Sequence, residues 1–235
     1  MRLPILVAAI AVLAGCNPSE KGTHGIGGIQ GGVFNFNETQ TLRSLFPLQA
    51  NLVSELHVAS QVYEGLVRFN SATLAVEPGL AERWEVDGSR RVYTFHLRKG
   101  VRFHDHPMFP DGKGRQLTAD DVVHCLTSAC EKGTGDAVFQ LFEGKVEGAD
   151  EYYASGARGG RCKGIKALDE HTVQISLVRP VPNFLQVLAV AGCAIWPREM
   201  QQQGTDMLRT AVGTGPFMLK VARPGDAIVL ERNPK

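Results

Sequence analysis

The chain lacks any apolar run long enough to cross a bilayer: the longest, 3–14, falls short of the roughly 20 residues a membrane helix needs. It also lacks a dominant charge. Twenty-five Lys and Arg stand against 24 Asp and Glu, net +1, so there is no basic field of the kind that draws a protein to nucleic acid. There is no C-x-x-C, no G-x-S-x-G elbow, no G-x-G-x-x-G or G-x-x-x-x-G-K-[ST] loop and no repeat at 20–50 residues. These absences argue against a zinc site built on a close thiol pair, a serine nucleophile, a phosphate-cradling loop and a solenoid. What is present, 43% hydrophobic and 21% charged residues over 235, is a globular composition able to fill at least one core.

The first residues read as an address. Met1-Arg2, an apolar stretch over 3–12 and small residues after it follow the grammar of a secretory signal peptide, here 1–15. Leu13-Ala14-Gly15-Cys16 resembles the bacterial lipobox, in which cleavage before Cys16 frees its thiol and amino group for acylation. An exported protein is expected, lipid-anchored to the cell envelope and facing the periplasm or exterior. Residues 16–32, with Pro18, Ser19 and five glycines from Gly25 to Gly32, bury too little to offset their ordering and read as a flexible tether. Cys125, Cys130, Cys162 and Cys193 remain, an even number in an oxidising compartment, with three full pairings open and buried thiols as the alternative. Cys125 and Cys130 sit too far apart around one predicted helix to pair. Cys130–Cys162 is the preferred bridge, because both border a polar stretch it would staple.

Residues 33–36 read as a short strand, 37–41 as a polar loop, and Leu52, Leu56, Ala59 and Tyr63 recur at helical spacing. Alternation over 84–97 about Asp87-Gly88 predicts a hairpin. Thr118 should cap a helix with Asp120 and Asp121 in its first turn and Val122, Cys125, Leu126 and Ala129 on its apolar face. The glycine-rich stretch 131–164, carrying Phe139, Phe142, Tyr152 and Tyr153, reads as a surface insertion. Strands at 173–177, 217–221 and 228–230 and an apolar helix over 184–191 complete a mixed α/β chain.

Five phrases then fall in order: QVYEGLV at 61–67, EPGLAERW at 77–84, YTFHLRKGVRFHD at 93–105, LTADDVV at 117–123, and GTGPF at 213–217 with VLERNP at 229–234. Together they resemble the family 5 extracellular solute-binding proteins, which supply peptide- and nickel-binding subunits to ABC importers. The resemblance runs from about Gly32 onward. It implies a periplasmic-binding-protein-like first lobe, with a main subdomain of 33–58 plus 190–235 and a smaller inserted subdomain of 59–189. It also implies a full protein of roughly double this length, whose second lobe is missing here. The implied function is capture of oligopeptides for an ABC permease by a monomer without catalysis or cofactor. The loop Asn37, Glu38, Thr39, Gln40 is where ligand contact is expected, since N–H groups at a helix start suit carboxylates and carbonyls; a plain surface loop is the alternative.

His104-Asp105-His106 is the competing signal. An H-x-H beside a carboxylate is a spacing used by metal-dependent hydrolases, which makes His104 and His106 candidate ligands of an enzyme. No further ligand follows at a recognisable spacing, and the family phrase accounts for these residues without chemistry. Trp84 and Trp196, each beside apolar neighbours, read as core, and Asp120-Asp121 as a helix start rather than an acid–base pair.

Overall fold

The computed structural model describes residues 31–38, 40–201, 205–223 and 225–234. The expected signal peptide, Cys16, most of the expected tether and Thr39 lie outside them. Two compact units are separated at Asn37/Glu38. In the first, Phe34 and Phe36 stack at 6.5 Å and the chain over 33–36 is not a strand. Alternation alone does not make one, because each N–H and C=O needs a partner strand, and none pairs with 33–36 among the described residues.

The second unit is built on an antiparallel sheet of order β3-β4-β6-β5, from β3 (Ala81–Val86), β4 (Val92–Leu97), β5 (Ile165–Asp169) and β6 (Thr172–Ser176). Two short strands precede it, β1 (Val67–Phe69) and β2 (Val76–Pro78), paired with each other. The expected alternation is realised in β4, where Tyr93, Phe95 and Leu97 are buried and pair across to Ile175, Val173 and neighbours on β6. Asp87 sets the hairpin. Its Oδ1 accepts the N–H groups of Arg91 and Val92, each at 2.9 Å, and its Oδ2 the Ser89 hydroxyl at 2.6 Å. That Ser89 bond and those N–H groups hold the carboxyl down at about 2.

Helix α1 is Val53–Val62, and α2, Ala119–Ser128, starts as expected after Thr118 and packs on β5 and β6. The stretch 131–164 departs from its reading as a surface insertion. It holds α3 (Asp136–Phe142) and α4 (Ala149–Ser155), and Val138, Phe139, Phe142, Val146, Ala149 and Cys162 are buried in the main core. Its glycines shorten the helices while its aromatic residues pin them inward, Phe139 stacking on Tyr153 at 3.9 Å. The apolar helix stops early, as α5 (Phe184–Leu188), because Val190 is extended before a 3₁₀ turn at Ala191–Cys193. A second 3₁₀ turn, Arg198–Gln201, and the hairpin β7 (Phe217–Arg223) and β8 (Ala227–Arg232) follow.

Long-range contacts join the beginning and end of this unit. Leu45 N–H donates to Met207 O at 3.0 Å, Phe46 meets Trp196 edge-on at 4.8 Å, and α1 lies against β7.

Candidate functional site

Glu55 closes off the start of α1. Its Oε1 accepts the N–H groups of Arg43 (2.8 Å) and Ser44 (3.2 Å), and its Oε2 those of Asn51 (3.0 Å) and Leu52 (3.1 Å). Burial pushes this carboxyl up, but the four N–H groups outweigh it and leave it below the ordinary carboxylate value. The N–H groups of Arg43, Ser44, Asn51 and Leu52, ahead of α1, are therefore taken by the chain's own carboxylate. Of the predicted contact loop, Asn37 and Gln40 are exposed, and Glu38 Oε1 lies 2.8 Å from His57 Nδ1.

His104 is only 2% exposed. Its Nε2–H donates to Gly215 O at 2.8 Å and its Nδ1 accepts the Gly213 N–H at 3.3 Å, which fixes the neutral tautomer and occupies both ring nitrogens. His106 Nδ1 accepts the Met108 N–H at 3.2 Å. Asp105 accepts the Gly114 N–H at 3.0 Å and pairs with Lys113 at 2.9 Å. The hydrolase reading finds no support in this geometry, since backbone groups engage both His104 ring nitrogens, where a metal would need a lone pair. Among the described residues no three His, Cys, Asp or Glu side chains are grouped to hold a metal.

What His104 does instead is fasten the bend 213–216 to the rest of the fold. Gly213 and Gly215 press on the end of α1, where an added Cβ would stand 2.1 Å from Val62 O and 2.6 Å from Gln61 O. Gly215 N–H donates to Val62 O at 2.9 Å. The Thr214 hydroxyl donates to Glu64 Oε2 at 2.8 Å, and Asn233 Nδ2 donates to Gly215 O at 3.2 Å. Burial pushes Glu64 up, more than Thr214 and the charges of Arg68 and Arg98 pull it down. Beside this knot lies a cleft of about 330 Å³ lined by Glu64, Gly100, Val101, Arg102, Thr214 and Asn233. It presents a carboxyl group, a guanidinium, a hydroxyl and an amide to a polar ligand. A wider hollow of about 540 Å³ near Asp120 and Arg161 is open and crossed by their 2.9 Å ion pair.

Three of the five family phrases thus converge here: Glu64 from QVYEGLV, Gly100 to His104 from YTFHLRKGVRFHD, and the last with both its GTGPF bend and Asn233. Sequence reasoning quoted Glu64 inside a phrase but gave it no site role. The one signal available was an acidic residue set between Tyr63 and Gly65 in an otherwise apolar run. It also missed Arg115, whose guanidinium clamps Asp121 (2.7 Å twice) and Glu199 (2.8 and 3.0 Å) while lying 5.1 Å from the centre of the Phe103 ring.

Residues 75–235 match the sequence profile of the bacterial extracellular solute-binding proteins, family 5 Middle. The chain belongs to that family. It is 37% identical over 165 residues to the dipeptide-binding protein of Escherichia coli, covering 68% of this chain and 29% of that one. It is 30% identical over 179 residues to heme-binding protein A of Haemophilus influenzae, covering 72% and 31%. The crystal structure of a periplasmic oligopeptide-binding protein, OppAIV of Borrelia burgdorferi, superposes with a TM-score of 0.72 at 28% identity, over 82% of this chain and 37% of that one. The fold is that of a periplasmic binding protein. The matched segment spans about a third of each relative's length, which makes the relatives a little over twice as long as this chain, in line with the double length expected, and the second lobe lies outside the 235 residues.

Proposed function

We propose that the chain is the first lobe of the substrate-binding component of an ABC importer that captures oligopeptides and does no chemistry on them. The observation that carries this reading is the 37% identity to a dipeptide-binding protein over a segment folded like an oligopeptide-binding one. In this reading the protein is exported, held at the envelope by an acylated Cys16 and the tether 16–32, and works as a monomer with permease subunits. The lobe divides into 33–58 plus 190–235 and an inserted 59–189. Ligand contact is assigned to the loop Asn37, Glu38, Thr39 and Gln40 and, separately, to the cleft at Glu64 and Thr214.

A peptide enclosed by two lobes draws its affinity from both walls and from closure. Calorimetry with a mixed peptide library on the full-length product and on residues 16–235 tests this. Micromolar binding is expected for the first, and millimolar or none for the second, which loses about half of the buried ligand surface. Tight binding by 16–235 alone overturns the two-lobe argument. Hemin titrated in place of peptide separates this reading from the one the heme-binding relative favours. Anchoring is tested by Cys16→Ser, which should move the protein from the detergent phase to the aqueous phase.

A further inference from the structure

The four described cysteines are free thiols and all are buried. Two of them are committed to backbone groups. Cys125 Sγ donates to Trp196 O at 3.1 Å and accepts the Trp196 N–H at 3.3 Å. Cys193 Sγ turns to Val187 O at 3.4 Å, and burial pushes its thiol up to about 12. Cys130 and Cys162 also reach backbone carbonyls, Leu126 O at 3.6 Å and Glu147 O at 3.4 Å, but differ in that their thiols in addition engage one another. They are 0% and 1% exposed.

The backbone holds both from the same turn of α2. Cys130 N–H donates to Thr127 O at 2.8 Å, and Cys162 N–H donates to Thr127 Oγ1 at 3.3 Å. The loop into β5 is fixed behind them, with Ile165 N–H on Cys162 O at 3.1 Å. The two side chains are thus set facing each other by contacts independent of the sulfurs, 32 positions apart in sequence (162 − 130).

We propose that Cys130 and Cys162 are joined by a disulfide in the exported protein, made by thiol–disulfide exchange with a small or protein disulfide before the core closes over them. One cysteine thiolate attacks the external disulfide and releases one thiol. The second attacks the mixed disulfide and releases the other, so both electrons lost by the pair reduce the oxidant and both protons leave with its two thiols. Timing follows from burial, since an oxidant cannot reach sulfurs at 0% and 1% exposure once the fold is complete. The bridge encloses 131–161, and with it α3 and α4. Closing a loop of this size should lower the unfolding constant by on the order of 10²–10³-fold.

The inference rests on the export reading for its oxidant, and the two are read separately. The full chain, trapped with N-ethylmaleimide during isolation from the producing cell's membrane fraction, is digested without reduction and mapped by mass. A Cys130–Cys162 linked peptide is expected, with Cys125 and Cys193 recovered unlinked. Whether 1–15 is missing from the same map reports on export, whatever the thiols do. The same chain refolded from the reduced, unfolded state in a glutathione redox pair should gain the link and melt higher than its reduced form, whereas the already folded reduced chain should acquire it far more slowly. Four alkylated cysteines in both preparations, or Cys130 linked to Cys193, would overturn the proposal. Cys130→Ala and Cys162→Ala should each abolish the redox dependence of melting; if a variant does not fold, the reduced and oxidised unmutated chains still decide the matter.

Discussion

At the scale of single residues, two glutamates nine positions apart answer acid in opposite senses. Glu55 sits below the ordinary carboxylate value, so its contribution is complete above that value and is lost as pH falls through the depressed native one. Glu55→Gln should therefore cost about 2–4 kcal/mol at pH 7, with the difference from the unmutated chain closing in acid. Glu64 sits above the ordinary value of 4.5. The native state holds that proton more tightly than the unfolded one, so stability falls as pH rises from about 4.5 through the raised native value and is level beyond it. Glu64→Gln, which keeps an oxygen for the Thr214 hydroxyl, should remove that fall and stabilise at neutral pH. Urea midpoints between pH 2 and pH 8 check both, Glu55 below pH 4.5 and Glu64 above it, and slopes of the same sign would contradict the pair. His104→Ala should destabilise by about 1–3 kcal/mol by stranding the Gly213 N–H and the Gly215 carbonyl, while His106→Ala, with one backbone partner, should cost less. If zinc bound stoichiometrically and was lost with either variant, the backbone role of His104 would be wrong.

At the scale of elements, what could be read from sequence depended on whether the cause was local. The β3–β4 hairpin was legible because Asp87 and the alternation of Tyr93, Phe95 and Leu97 act within a dozen residues. The start of α2 was legible for the same reason, Thr118 N–H donating to Asp121 at 3.0 Å. The inward turn of 131–164 was not, since its aromatic residues are spaced by glycines and follow no helical or strand period. Nor was the missing strand at 33–36, whose apolar residues satisfy a pattern but have no described ladder partner. Glu55, four residues from Asn51, meets the N–H groups just ahead of α1, a role that sequence spacing did not announce. Close backbone approach is equally silent in sequence. A Cβ on Gly114 would stand 1.8 Å from Phe103 O, so Gly114→Ala should force the 103–115 loop apart and lower the melting temperature sharply, by more than Gly88→Ala, which meets open space.

At the scale of the whole molecule, Arg115 ties the 103–115 loop to α2 through Asp121 and to the second 3₁₀ turn through Glu199. Asp121 is 0% exposed and pairs with that guanidinium at 2.7 Å. Arg115→Met should cost about 3–5 kcal/mol by leaving the buried carboxylate unpaired. Arg115→Met with Asp121→Asn should recover part of the loss, and thermal unfolding of the single and double variants measures it. Equal losses in both would mean that the guanidinium serves by packing on Phe103 alone. The knot at the end of α1 bears on how the chain is made. The Glu64–Thr214 bond joins positions 150 apart, and contacts of such span form late, after the entropy of a long loop has been met. A chain threaded N-terminus first through a membrane pore would therefore emerge with the end of α1 uncovered until the GTGPF bend arrived. Folding would be withheld during passage by the order in which the residues appear, and released on the far side by two glycines and a histidine.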